Sequence, residues 1–203
     1  MISPVIDSDS RNSLRRKLRA QRQALTASEQ GCAAHALAAH LAATRLFRVS
    51  RRVALYLPND GEIDPQPAME RLWRNHKTCY LPILSRLRHD RLWFAPFTPD
   101  TPLACNRFGI PEPRVPARSW RRAQDLDLIL MPLVAFDTSG NRLGMGGGFY
   151  DKSLAFLRQR SGWRKPHIFG LAHEFQRVER LETFAWDVPL QGVATDRAVY
   201  VFG

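Results

Sequence analysis

Between Asn141 and Leu154 the chain reads NRLGMGGGFYDKSL, with Gly144, Gly146, Gly147 and Gly148 inside five positions and Asp151 just beyond them. Glycine tolerates positive φ and lets backbone amides close on an oxyanion. A helix starting near Tyr150 would add the partial positive charge of its N-terminus. The chemistry that uses such a loop is phosphate binding. The named phosphate signatures do not match. Phe149 and Tyr150 stand where a P-loop needs lysine and a hydroxyl, and Phe149 takes the third glycine place of the dinucleotide pattern. On spacing alone a phosphate cradle and a tight structural turn both stay open. Asp151 would repel phosphate unless a Mg²⁺ lay between them. Its other reading is a carboxylate favoured by the helix dipole.

Around this loop the sequence alternates helical and strand-like segments. Residues 11–25 read as a basic amphipathic helix with Leu14, Leu18 and Leu25 on one stripe. Arg11 and Arg15, four apart, share a face, either solvated or turned to an anion. "TASE" at 26–29 is a capping box for an alanine-rich helix to about Thr44. Val53–Leu57 reads as a short buried strand ending in a polar turn with Glu62, where ligands bind in open α/β sheets. A helix from Pro65 to Trp73 and strands at 78–84 and 91–97 follow. Residues 98–124 are proline-rich and irregular. "DLDLILMPLVAF" lacks alternation and suits a central strand buried on both faces. A turn at 137–141, the loop, a helix over 150–160 and strands in "HIFGLAH" and "RAVYVF" complete the chain. This order predicts a single-domain α/β fold, an open and mostly parallel sheet flanked by helices in a Rossmann-like three-layer arrangement. Residues 1–10 are expected to form a flexible tail.

Composition narrows the class. The chain has 203 residues, is 44% hydrophobic and 24% charged, and carries a net charge of +11. That is globular and attractive to anions, whether small molecules or nucleic acid. No apolar run reaches the roughly 18 residues of a membrane span. Cys32, Cys79 and Cys105 include no CxxC pair, which disfavours a disulfide frame or a cysteine zinc site and favours a reducing, cytoplasmic compartment. "HEFQR" lacks the second histidine of a zinc helix, and Ser139 has no nucleophile-elbow spacing.

"NRLGMGGGFYD", with "SLRRKLRAQRQALT", "YLPNDGEID", "RFGIPEP" and "WDVPLQGVATD", resembles the 5-formyltetrahydrofolate cyclo-ligase family, also called methenyltetrahydrofolate synthetase, from about residue 11 to 200. The resemblance implies ATP- and Mg²⁺-dependent closure of 5-formyltetrahydrofolate to 5,10-methenyltetrahydrofolate. It implies ATP contacts at Arg11, Arg15, Arg142, Gly144, Gly146, Gly147, Gly148 and Tyr150, with Arg142, Tyr150 and Asp151 catalytic. It implies folate contacts at Leu57, Glu62, Phe108, Met145 and Phe149, and a magnesium site at Asp151 and Asp187. Many members carry an arginine at position 145, a lysine at 147 and a tyrosine at 149. Met145, Gly147 and Phe149 depart from that pattern and remove two cations from the loop. The partners so implied are reduced folate and ATP, bound by a monomer, with no membrane and no nucleic acid. The other functions considered are a basic nucleic-acid-binding α/β module and an ATP-dependent enzyme for another formyl or folate-like substrate.

Overall fold

The computed structural model describes residues 8–84, 91–106, 109–159 and 165–202. Helix α1 (Ser8–Gln23) starts three residues before position 11, so Ser8–Ser10 belong to a helix rather than to a tail. Helix α2 (Ala27–Ala43) carries both arms of the expected capping box. Thr26 Oγ1 accepts from the Glu29 amide at 3.2 Å, and Glu29 Oε2 accepts from the Thr26 amide at 2.8 Å. A short helix α3 (Arg45–Val49) leads into strand β1 (Arg52–Ala54). Helix α4 (Gln66–Arg74), with Pro67 in its first turn, precedes β2 (Thr78–Leu84) and β3 (Leu92–Phe97).

The irregular region folds a small hairpin from β4 (Leu103–Cys105) and β5 (Pro111–Pro113). Strand β6 (Leu128–Pro132) is followed by the hairpin β7 (Ala135–Phe136) and β8 (Arg142–Leu143). The Asp137–Asn141 turn closes that hairpin, and Asp137 Oδ1 accepts from the amides of Ser139 and Asn141 at 2.9 and 3.0 Å. Helix α5 (Phe149–Leu154) is shorter than the single helix expected over 150–160, because the chain tightens into a 3₁₀ turn at Ala155–Gln159. Strands β9 (His167–Leu171), β10 (Gly192–Ala194) and β11 (Val199–Val201) close the fold.

The main sheet runs β11-β10-β9-β6-β1-β2-β3. Its inner pairings are parallel, and only the outer strands β11 and β3 pair antiparallel. The apolar run in β6 is explained by its place at the centre. Leu128 and Leu130 pack with Leu37 and Leu41 of α2 and Met69 and Leu72 of α4. Ile129 and Met131 pack on the other face with Phe94, Phe136 and Leu154. This is the three-layer α/β arrangement read from the sequence. Helix α1 belongs to a third cluster, in which Leu18 packs with Ala135 and Leu143 of the β7–β8 hairpin. That packing sets α1 beside the glycine loop. Among the described residues no helix is long and apolar enough to cross a membrane.

Candidate active site

A cavity of about 600 Å³ opens over the carboxyl ends of β1, β2 and β6. The chain leaves β1 for β2 on one side and returns to β6 on the other. Tyr56 and Leu57 follow β1, and Pro132 and Leu133 end β6; all four line the cavity. Ligands of open α/β sheets sit at such a switch point.

One side of the cavity is cationic. Arg15 donates from Nε to the carbonyl of Gly144 at 2.9 Å and from Nη1 to Asn12 Oδ1 at 2.7 Å. Burial first, and then the charge of Arg11, pull the Arg15 guanidinium below its ordinary pKa. Arg11 lies over the ring of Phe184, 4.5 Å from its centroid, and its Nη1 is buried with no hydrogen-bond partner among the described residues. Two neighbouring arginines with an unsatisfied donor form a site short of an anion.

The glycine loop faces the same space. Gly146 and Gly148 adopt φ of +98° and +64°, where a side chain is strained. The amides of Met145, Gly146 and Gly147 donate to no group among the described residues. A Cβ on Gly147 would lie 2.8 Å from the Phe149 ring, so no side chain fits at 147 while that ring keeps its place. The departures at 147 and 149 are therefore compatible with each other.

Arg142 is almost fully buried, and its guanidinium turns to protein groups. One nitrogen donates to the carbonyl of Val188 and another to Asp151 Oδ1, which also accepts from the Val188 amide at 3.2 Å. These contacts tie Arg142, Val188 and Asp151 together. Asp187, also in the lining, accepts through Oδ2 from the Phe184 amide at 2.9 Å. Phe184 and Trp186 stack with centroids 4.6 Å apart and form an aromatic rim. Among the described residues no three His, Cys, Asp or Glu side chains form a metal cluster. Two carboxylates are enough for a Mg²⁺ shared with phosphate oxygens, because Mg²⁺ is commonly held that way. Asp151 and Asp187 have hydrogen bonds on one oxygen each.

Opposite, Glu62 sits at the foot of a turn whose Asn59 amide donates to its Oε2 at 3.2 Å. Burial pushes its carboxyl up to about 7, against the lowering effects of Arg22 and of the Asn59 amide. Burial likewise pushes the Tyr150 and Tyr56 hydroxyls up, and the Glu62 charge adds to both shifts. Tyr56 donates to the carbonyl of Ile63 at 2.8 Å.

The cavity thus gathers Arg11, Arg15, Leu57, Glu62, Arg142, Gly144, Met145, Gly146, Gly147, Gly148, Phe149, Tyr150, Asp151 and Asp187. Phe108 lies outside the described residues. Sequence reasoning missed Tyr56, Asp60, Glu112 and the Phe184–Trp186 pair. Only the last left a signal, two aromatics just before the acid of "WDVPL". Glu112 Oε1 accepts from the Leu84 amide and from Asn106, each at 2.8 Å, tying the β4–β5 hairpin to the end of β2.

Fold and cavity together define an α/β protein with a cationic, glycine-lined cavity at the switch point of its sheet. Residues 7–196 match the model of the 5-formyltetrahydrofolate cyclo-ligase family, and the chain belongs to that family. It is 38% identical to the 5-formyltetrahydrofolate cyclo-ligase of Haemophilus influenzae over 91% of this chain and 97% of that protein. The same identity relates it to the 5-formyltetrahydrofolate cyclo-ligase of Escherichia coli, over 90% and 98%. The solution structure of Aquifex aeolicus 5,10-methenyltetrahydrofolate synthetase superposes with a TM-score of 0.76 at 30% identity, covering 94% of this chain and 92% of that one. The synthetase from Mycoplasma pneumoniae, at 23% identity and a TM-score of 0.68, shares the fold.

Proposed function

We propose that this chain uses ATP to close 5-formyltetrahydrofolate to 5,10-methenyltetrahydrofolate, releasing ADP and phosphate. The formyl oxygen attacks the γ-phosphorus and ADP leaves. N10 then attacks the activated carbon and gives up its proton to water, and the C–O bond breaks with departure of phosphate. An amide carbon is a poor electrophile and its oxygen a poor leaving group; phosphorylation corrects both. The protein has to hold two anions in line, neutralise them and exclude water.

The observation that carries this reading is the pairing of Arg11, with its unsatisfied buried donor, and Arg15 against the glycine loop in one cavity. Arg11, Arg15 and the amides of Met145 to Gly147 receive the phosphate chain. With Met145 and Gly147 in place of cations, the arginines of α1 supply the positive charge. Asp151, oriented by Arg142, and Asp187 would hold Mg²⁺, which would supply charge neutralisation at the transferring phosphoryl oxygens. The folate occupies the side lined by Leu57, Glu62, Met145, Phe149 and Tyr150. Arg11 and Arg15 line the cavity and Arg19 and Arg22 pair with Asp60, which favours a small anion over a nucleic-acid backbone. A cytoplasmic compartment fits the free thiols of Cys32, Cys79 and Cys105.

The test mixes the protein with MgATP and 5-formyltetrahydrofolate and follows the near-ultraviolet absorbance of the methenyl product. Product that requires both substrates supports the reading. Product from a different formylated substrate, and none from this one, would move the assignment to that substrate. No product at high enzyme concentration would refute the reading.

A further inference from the structure

Helix α1 carries Arg11, Arg15, Arg19 and Arg22 at steps of four, four and three, a single helical stripe. Arg15 meets the glycine loop and Arg11 lies over the Phe184 ring. The last two do something else. Arg19 donates to both oxygens of Asp60 at 2.6 and 3.2 Å, and Arg22 donates to Asp60 Oδ2 at 2.7 Å. Gln23 donates to Asp60 Oδ1. Arg22 is fully buried and also reaches the carbonyl of Leu133 at 3.3 Å. Asp60 has φ +53°, in the left-handed region that Asp and Asn tolerate best among side-chain-bearing residues. The next residue, Gly61, has φ +71° and lies so near Arg22 that a Cβ would be 2.8 Å from its carbonyl carbon. The turn that ends in Glu62 is therefore clamped to α1 through one carboxylate.

We propose that Asp60 is a positioning residue for the folate half of the cavity: by engaging Arg19 and Arg22 it fixes the turn that presents Glu62 and keeps the buried cation of Arg22 from pairing with Glu62. The inference rests on the cavity assignment above. Its electrostatics agree with the geometry. Hydrogen bonds from Arg19, then from Arg22 and Gln23, hold the Asp60 carboxyl below its usual range against the opposing effect of burial. Glu62 faces Arg22 from α1, Asp60 from its own turn, Tyr56 from the end of β1 and Tyr150 from α5, while Asp64 faces Tyr56. His173, which precedes the 3₁₀ turn Glu174–Gln176, lies near Gly61 and Arg22. Arg22 is the single cation in that ring that opposes the raised state of Glu62, and Asp60 engages it.

The experiment reads Glu62 directly in the substrate-free protein, by carbon-13 titration of its side-chain carboxyl, with the resonance identified by its loss in Glu62→Gln. The wild-type midpoint is expected near 7. Asp60→Asn keeps the left-handed turn and removes only the charge. It should move the midpoint down by on the order of one unit, as a carboxyl gains an unshared cation. Arg19→Gln leaves Arg22 paired with Asp60 and should leave the midpoint in place. Asp60→Gly, which tolerates the same φ, must repeat the Asp60→Asn shift and serves if the first variant folds poorly. An unmoved midpoint in both Asp60 variants, an equal shift in Arg19→Gln, or a wild-type midpoint at an ordinary carboxyl value would each overturn the proposal. Because the readout uses no substrate, its failure is separate from a failure of the folate assay.

Discussion

Removing Asp151 should destabilise the fold as well as the site, because its partner cannot reach water. The Arg142 side chain is 6% exposed and that of Asp151 25%. In Asp151→Ala, Arg142 keeps its bond to the Val188 carbonyl but loses its counter-charge, and the Val188 amide loses its acceptor. Breaking one side of a buried ion pair costs about 3–5 kcal/mol. A quarter-exposed carboxylate lets water screen part of that, so the expected loss is ~2–3 kcal/mol. For a chain of this size each kcal/mol moves Tm by about 2–4 °C, so Asp151→Ala should melt ~4–12 °C lower. Arg142→Met, a long apolar side chain in the same tunnel, removes the stranded cation. The double variant should then be more stable than the sum of the two singles by ~1–2 kcal/mol. Urea unfolding of wild type, both singles and the double closes the cycle. Effects that add to within about 0.5 kcal/mol would show that the pair is not coupled, and would remove the argument that Arg142 orients Asp151.

Two further outcomes follow from the site. Asp151→Asn keeps an acceptor at Oδ1 but removes the charge facing Arg142 and a cation, so it should lower kcat at least tenfold while melting between wild type and Asp151→Ala; a steady-state assay across magnesium concentrations and a thermal melt check this. Glu62, with its folded pKa raised from 4.5 to about 7, binds more protons folded than unfolded between those values. Its favourable contribution is present below 4.5 and is lost as pH rises through 7, so wild-type stability should fall relative to Glu62→Gln across that window, by on the order of 2 kcal/mol. Parallel pH–stability curves would show that the group is not raised.

Much of the architecture was legible because it is written locally. The capping box of α2 and the 78–84 strand each carry their own signal and formed where the pattern put them, whereas the apolar run read as one central strand splits, β6 ending at Pro132 and Ala135–Phe136 joining a separate hairpin. Strand β10, Gly192–Ala194, is three residues long and too short for any period to show. The expected 150–160 helix was half right, since its second half tightens to 3₁₀ geometry where Phe156 and Leu157 pack on the core cluster around Leu154. In the site, the density of glycines drew attention to the loop, while spacing alone left both its role and that of Asp151 open. The Asp60 clamp did not, because its partners lie 38 and 41 residues away and a buried arginine reads like a surface one in a basic helix. Arg142 illustrates the same limit: its type suggested an anion contact, and only the fold shows its guanidinium turned to Asp151 and Val188.

In the proposed reaction the formyl oxygen leaves on phosphorus inside this one cavity. Substrate carrying oxygen-18 in its formyl group, turned over with unlabelled MgATP in ordinary water, tests it. The released inorganic phosphate should carry one oxygen-18 atom for each methenyl product formed. Unlabelled phosphate alongside methenyl product would contradict the claim.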